Sequence, residues 1–142
     1  MPDISDRNPD RPDPIMTTDG AVFWKGAEQH KLVVQKCGDC GAFRHPPRAM
    51  CPHCHSLDVV EHELSGTGSV ISWVQPVHPP AIGFTEPPIV AVVELEHGIR
   101  LVSNVEGAEA SDMRFGMAVK AAYAKTAGGK TVPIFVPDEG DD

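Results

Sequence analysis

The cysteines are the strongest constraint on the fold of this chain, because they form two matched pairs, Cys37-Gly-Asp-Cys40 and Cys51-Pro-His-Cys54. The chain has 4 cysteines, and residues 41–50 separate the two pairs. This spacing predicts a zinc ribbon, in which two knuckles hold one tetrahedral ion through four thiolates. Four protein ligands leave no open position for water or substrate, so the sequence predicts a structural metal and not a catalytic one.

Two other uses of these residues stay open at the level of sequence. The thiols can pair as two disulfides, or His53 or His55 beside the second pair can replace a cysteine as ligand. We find no leader-peptide pattern before the cysteines and no apolar run long enough to span a membrane. We therefore expect a cytoplasmic protein without a membrane anchor, a setting that favours zinc over disulfides.

The net charge of −8 belongs to the two ends of the 142-residue chain. Residues 1–19 contribute −3 and residues 138–142 contribute −4, which leaves −1 for the centre. We predict disordered acidic tails over residues 1–18 and 137–142, since both are rich in acids and poor in apolar residues. A nearly neutral centre is also a poor match for a nucleic-acid-binding surface, which needs many cations.

Residues 19–62 are predicted to form a helix followed by the ribbon. The sequence AVFWKGAEQH follows capping residues at 17–20 and predicts a short amphipathic helix with Phe23, Trp24 and Ala27 on its apolar side. The two adjacent aromatic residues can pack in the core or dock on another protein. Residues 31–36 predict a strand that leads into the first knuckle, and His62 and Glu63 are expected in a connection to the next domain.

Residues 63–136 are predicted to form a five-stranded barrel. Five runs rich in valine and isoleucine read as strands: residues 69–75, 89–95, 99–105, 118–124 and 131–136. A brief helical stretch is expected over 107–114, between the third and fourth runs. Three strands, a short helix and two strands is the order of an OB-fold. The Pro-rich loop (residues 76–87), between the first two runs, is long and apolar, as functional loops often are.

Several motifs in order resemble a known family. They are Phe23-Trp24, the two cysteine knuckles, Pro46-Pro47-Arg48, Ser65-Gly66-x-Gly68 and Phe115-Gly116-Met117-x-Val119. Over about residues 19–136 the chain resembles OB-fold proteins with an N-terminal rubredoxin-like zinc ribbon, long filed as a domain of unknown function. The predicted fold is therefore mainly β, with an N-terminal helix and zinc ribbon followed by a five-stranded OB-fold barrel.

The resemblance also implies a role. Members of that family look like accessory subunits of thiolase-like enzymes, including acyltransferases and aldolases that shorten steroid side chains. The partner supplies the catalytic residues, and the OB-fold subunit helps to hold the acyl-coenzyme A (acyl-CoA) substrate. The resemblance thus implies no activity for this chain alone, a structural Zn²⁺, and a shared acyl-CoA ligand in a hetero-oligomer.

Candidate residues for these contacts follow from the chemistry of coenzyme A, which needs cations for its phosphates and an apolar groove. Lys36, Arg44 and Arg48 on the ribbon and Phe84 in the Pro-rich loop are the candidate CoA-binding residues. Phe23, Trp24 and Ile82 are the candidate partner interface.

Three alternatives remain at this point. The chain can serve a hotdog-fold enoyl-CoA hydratase, as relatives of the family do, or bind single-stranded nucleic acid, as many OB-folds do. An independent enzyme would need an acid–base pair from residues such as His78, Glu94, Glu96 and His97. The sequence shows no nucleophile–base spacing that supports it.

Overall fold

The computed structural model describes residues 8–139, which include one α-helix and eight strands. The residues outside this range belong to the two predicted acidic tails. The elements in chain order are α1 (Ala21–Glu28), β1 (Leu32–Cys37), β2 (Phe43–Arg44), β3 (Val59–Leu64), β4 (Thr67–Val74), β5 (Ile89–Glu94), β6 (Arg100–Val105), β7 (Ala118–Lys125) and β8 (Thr131–Pro137).

The ribbon is a three-stranded antiparallel sheet in the order β2-β1-β3. β1 pairs with β3 along its whole length, from Leu32 opposite Leu64 to Cys37 opposite Val59. The expectation that His62 and Glu63 lie in a connection is wrong, because both belong to β3. Most of β3 is exposed on both faces, so its sequence lacks the alternation of apolar and polar residues that marks a half-buried strand.

The remaining strands close into a barrel in the order β4-β5-β6-β8-β7, with β7 returning to β4. The contact between β6 and β8 is parallel and joins Val105 to Phe135, whereas the other strand pairs of the barrel are antiparallel. This is the predicted OB-fold, and all five predicted runs are strands of the barrel. In β5 every second residue is buried, which is the alternation that its sequence predicts.

The helical stretch predicted over 107–114 is shorter in the structure. A single 3₁₀ turn covers Ala110–Asp112, closed by reciprocal hydrogen bonds between Glu109 and Asp112. The Pro-rich loop lies within residues 75–88, which connect the end of β4 to the start of β5.

The ribbon and the barrel share one hydrophobic core. α1 packs against β1 and β8, and it buries Phe23 and Ala27 in a cluster that continues through Leu32 of the ribbon to Phe135 of the barrel. Trp24 packs against the edge of this cluster and is partly buried. Because one core serves both parts, the ribbon and barrel are expected to depend on each other for stability.

The N-terminal segment (residues 8–14), which the sequence assigned to a disordered tail, lies against the barrel. Arg11 is only 5% exposed, and its side chain bonds to Asn104 and Glu106. Composition alone misses this arrangement, because the energy comes from partners that lie more than 90 residues away in the chain.

Candidate functional site

The four cysteines meet where β1 ends and the second knuckle folds over it. Each knuckle repeats the same backbone turn. The amide of Gly41 donates to the carbonyl of Cys37 at 3.1 Å, and the amide of His55 donates to the carbonyl of Cys51 at 2.9 Å. Gly41 has a φ of +78°, the left-handed conformation that glycine adopts without cost. Each turn therefore presents both sulfurs of its pair to the same point.

The sulfur positions fit a tetrahedral ion. All four Sγ atoms lie within 4.8 Å of one another, with Cys37 to Cys54 at 3.5 Å and Cys40 to Cys51 at 3.6 Å. Four thiolates at about 2.3 Å from zinc would be about 3.8 Å apart, whereas a disulfide needs about 2.05 Å. All four cysteines are free thiols. The geometry of the cluster thus matches the predicted metal site and not that of two disulfides.

The pKa values of the four thiols indicate that the cluster needs a cation to become fully ionised. Backbone amides of Cys40 and Asp39 donate to the sulfur of Cys37 and lower the pKa of this thiol to about 6. The Ser56 amide lowers the pKa of Cys54, but the Cys37 thiol, desolvation and the other two thiols outweigh it and raise the value to about 12. Four adjacent thiols cannot all ionise unless a positive charge compensates them, which a divalent metal does.

The neighbouring histidines stand apart from the cluster. Among the described residues, the group arranged to hold a metal consists of the four cysteines alone. His53 and His55 are exposed beside it, and His53 contributes its backbone amide to the sulfur of Cys51 at 3.4 Å. The arrangement is consistent with the predicted all-cysteine site.

Two of the candidate phosphate ligands of the ribbon, Arg44 and Arg48, contact Gln35. Arg44 is 7% exposed, and it donates to the Gln35 side-chain oxygen at 2.7 Å and to the Arg48 carbonyl at 3.2 Å. Lys36 has its ammonium 5.4 Å from the centre of the Phe43 ring. Arg48 is exposed. Arg44 therefore braces the link between the knuckles, while Lys36 and Arg48 are the more accessible cations.

The aromatic candidates Phe23, Trp24 and Phe84 lie around two grooves. A groove of about 730 Å³ is lined by Phe84 together with the acidic residues Glu86, Glu106 and Glu109. A second groove of about 260 Å³ is lined by Phe23, Trp24 and Phe84, among others. Lys36, Arg44 and Arg48 line neither groove. The structure thus brings Phe84 to Phe23 and Trp24, and not to the cations of the ribbon.

Ile82 is the most exposed of the candidate interface residues. It projects from the Pro-rich loop with 87% of its surface accessible, whereas Phe23 is 5% exposed and belongs to the core. Phe23 makes edge-to-face contact with Trp24 at 4.8 Å between ring centres. Of the three candidates, Ile82 is therefore accessible, Trp24 is partly buried and Phe23 is part of the core.

Sequence reasoning missed Arg11 and Glu106. The two form a salt bridge with side chains 6% and 11% exposed. Arg11 also stacks over Phe84, with its guanidinium carbon 4.9 Å from the ring centre. Arg11 lies in a stretch of prolines and acids that reads as a solvated tail, and no local pattern distinguishes it.

A cluster of aromatic and histidine rings at the junction of ribbon and barrel was also missed as a unit. Phe43 of β2 contacts His62 of β3 at 4.9 Å and His97, between β5 and β6, at 4.0 Å between ring centres. The pKa of neighbouring Glu96 lies below its ordinary value, mainly because the Ser65 backbone amide donates to it. His97 reads as a hairpin-tip residue in the sequence, so its packing role carries no local signal.

Comparison with known proteins agrees with this architecture. Residues 24–60 match the model of the ChsH2 rubredoxin-like zinc ribbon domain, and residues 61–124 match the ChsH2 C-terminal OB-fold domain. A DUF35 domain-containing scaffold protein of Pyrococcus furiosus is 30% identical over 72% of this chain and 76% of its own length. The chain belongs to the DUF35 family of zinc-ribbon and OB-fold proteins, which confirms the resemblance seen in the sequence.

Two further relatives are similar to most of this chain. In a solved structure described as the Ltp2-ChsH2(DUF35) aldolase, one chain is 39% identical, with a TM-score of 0.84 over 88% of this chain and 98% of that one. A probable enoyl-CoA hydratase alpha subunit of Thermomonospora curvata is 40% identical over 89% of this chain. This chain spans 40% of the length of that hydratase subunit. In residues 8–139 no helix has the length and apolarity needed to cross a bilayer.

Proposed function

We propose that this chain is an accessory subunit without activity of its own, which binds a thiolase-like enzyme and helps to hold its acyl-CoA substrate. The observation that carries the proposal is the likeness to the ChsH2(DUF35) chain of an aldolase complex, which extends over 98% of that chain. The cysteine cluster points the same way, because four sulfurs fill the coordination sphere of a tetrahedral ion and leave no position for a substrate.

Exposed apolar side chains support a docking role. Val74, Val77 and Ile82, at the end of β4 and in the Pro-rich loop, are 62%, 63% and 87% exposed. Large apolar side chains that are exposed on a surface can serve as contacts for a partner protein. In this proposal Ile82 and Trp24 insert into the partner, and the prolines of the loop limit the entropy lost when it becomes ordered.

The proposed contribution to substrate binding comes from the ribbon. In this proposal the exposed Arg48 and the partly buried Lys36 approach the phosphates of coenzyme A, whereas Arg44 is engaged with Gln35 and positions Arg48 through its carbonyl. Phe84 would contribute apolar surface to a site completed by the partner. The larger groove is an unsuitable phosphate site, since Glu86, Glu106 and Glu109 line it.

A second candidate function is that of an accessory subunit of a hotdog-fold enoyl-CoA hydratase. It is favoured by the relative named as a hydratase alpha subunit. That relative is more than twice as long as the part matched here. The two candidates share the accessory role and differ in the partner.

Co-expression tests the proposal. The chain is produced with the thiolase-like protein, and separately with the hotdog-fold protein, encoded nearest to it on the chromosome. We expect a stable complex with the thiolase-like protein by size-exclusion chromatography with light scattering, and no turnover of acetyl-CoA or longer acyl-CoA by the chain alone. A complex with the hotdog-fold protein only would favour the second candidate, and turnover by the pure chain would contradict both.

A further inference from the structure

The N-terminal segment occupies the surface that OB-folds use for their ligands. OB-folds bind ligands on the face of their second and third strands, between the loops that follow the first and fourth strands. Here these features are β5, β6, the Pro-rich loop and the β7–β8 hairpin. Asn8 accepts a hydrogen bond from Thr85 in the loop at 3.2 Å, and the Arg11 carbonyl accepts one from Ala127 in the hairpin at 2.8 Å. The segment therefore bridges the two loops across β6.

The side chains around Arg11 contact the features that are specific to a guanidinium group. One terminal nitrogen donates to Asn104 at 2.7 Å, the other pairs with Glu106, and the plane lies near the Phe84 ring. A planar, forked guanidinium satisfies an amide, a carboxylate and an aromatic face together. A lysine ammonium carries a point charge on a flexible stem and cannot make the same set of contacts. The pocket is therefore selective for the side chain and not only for positive charge.

The surface also fits the backbone on either side of Arg11. Gly83 in the Pro-rich loop adopts a φ of +89°, and a Cβ there would collide with the Asp10 carbonyl and lie 2.8 Å from the Pro12 ring. Gly128 in the hairpin donates its amide to the Asp13 carboxylate at 2.9 Å. Glycines thus stand where the segment passes closest to the two loops.

We propose that this face is a peptide-binding site that recognises an arginine in an extended, proline-flanked segment, and that residues 8–14 are its exchangeable intramolecular ligand. This inference goes beyond the proposed function and does not depend on it. The kind of partner that fits is an extended protein segment with an arginine at the position of Arg11, which displaces residues 8–14 when it binds.

Two features make exchange physically reasonable. The buried Arg11 Nε and the Glu106 Oε1 have no hydrogen-bond partner, so the ion pair does not fully recover the cost of leaving water. Grooves also lie beside the segment, one lined by Asn8 and the other by Arg11, Pro12 and Pro14. A displacing segment with larger side chains can therefore gain contacts that residues 8–14 do not make.

The site can be opened without deleting any residue. A recognition sequence for a site-specific protease is inserted between Ile15 and Met16, which are 87% and 44% exposed, and the purified full chain is cleaved there. The fragment is then held by non-covalent contacts alone. Zinc content and circular dichroism establish that the cleaved protein remains folded. A fluorescent peptide of residues 6–16 and the same peptide carrying Arg11→Lys are then titrated, with anisotropy as the readout.

We expect the native peptide to bind the cleaved protein saturably and about tenfold more tightly than the Arg11→Lys peptide. The uncut protein should bind neither, because its tethered segment competes at an effective concentration on the order of millimolar. The proposal is overturned if the folded, cleaved protein binds no peptide or binds both equally. It is also overturned if the native fragment does not exchange within a day, or if the uncut protein binds as well as the cleaved one.

Discussion

The rings of Phe43 and His97 stack face to face, with their centres 4.0 Å apart and their planes within 5° of parallel. Phe43 belongs to the ribbon and His97 to the turn between β5 and β6 of the barrel, so the stack joins the two parts of the molecule. His62 meets both rings edge-on, at 4.9 Å and 5.2 Å. The junction is therefore a packed interface in its own right, beside the core that the two parts share.

A double-mutant cycle measures what this stack contributes. Phe43→Leu keeps apolar volume, and His97→Asn keeps a residue that tolerates the left-handed φ of +61° found at His97. We expect the free energies of unfolding of the two variants to be non-additive by about 0.5–1.5 kcal/mol, the range for paired aromatic rings. Urea unfolding monitored by circular dichroism gives the values, and additivity within about 0.3 kcal/mol would show that the rings do not interact.

Removal of the metal should destabilise the barrel as well as the ribbon. Leu32 and Val34 of β1 belong to the same hydrophobic cluster as Val70 and Phe135 of the barrel, so an unfolded ribbon exposes one side of that cluster. We expect one zinc per chain by mass spectrometry, and a fall of several kcal/mol in the free energy of unfolding when a chelator removes it.

Two cysteine-region variants test that explanation. Cys51→Ser removes a fully buried ligand and should abolish zinc binding, whereas His53→Ala beside it should leave zinc content unchanged. If the barrel unfolds at the same urea concentration with and without the metal, the two parts are energetically independent and the shared core contributes little between them.

Local chemistry explains which parts of this structure could be predicted. The metal site could be predicted because zinc binds fixed ligand types at fixed spacing, here Cys37, Cys40, Cys51 and Cys54. Strand β5 could be predicted because burial of one face makes apolar and polar residues alternate. Strand β3 was not predicted because both of its faces are largely exposed, so its sequence has no pattern that distinguishes a strand from a connecting segment.

The candidate site was less predictable than the fold for the same physical reason. Arg11 contacts Asn104 and Glu106 only when the barrel has formed. Phe23 is buried in the core because α1, which also carries Trp24, packs against the barrel. These contacts depend on three-dimensional proximity between distant segments, which a single sequence does not encode in any local pattern.

Loss of the Arg11 guanidinium should be strongly destabilising. Arg11→Ala leaves the Glu106 carboxylate, with 11% of its side chain exposed, without its cation. Breaking a buried pair on one side costs about 3–5 kcal/mol. The double variant Arg11→Ala with Glu106→Leu should recover part of that loss, since it removes the unpaired charge.

Urea unfolding of both variants measures the effect. Arg114→Ala, at an exposed position, serves as the matched loss of an arginine and should change the free energy of unfolding by less than about 0.5 kcal/mol. An Arg11→Ala variant as stable as Arg114→Ala would mean that the segment does not bind as the structure has it.

Acid should loosen the contact between Asp13 and the β7–β8 hairpin. Hydrogen bonds from the Thr126 side chain and the Gly128 amide hold the pKa of Asp13 below its ordinary value. For a carboxyl group whose pKa is depressed by folding, the stabilisation is present above its unfolded pKa and is lost as pH falls through the folded value. The Gly128 amide resonance, followed by NMR from pH 6 downward, should therefore shift with a midpoint below that of a free aspartate. In Asp13→Asn that transition should be absent, and a midpoint at or above the ordinary aspartate value would contradict the contact.

Association with the proposed thiolase-like partner should depend on Trp24 and Ile82. Trp24→Ala removes a large ring at the edge of the core, and Ile82→Asp places a charge where the structure has an 87% exposed apolar side chain. Each is expected to weaken the complex by about 2 kcal/mol or more, as central interface residues do, without loss of zinc. Val60→Asp, on the exposed edge of the ribbon, is the matched control and should bind normally.

Isothermal titration calorimetry gives the affinities. Unchanged binding by Ile82→Asp would exclude the Pro-rich loop from the interface, and equal losses in all three variants would indicate general destabilisation rather than a specific docking surface.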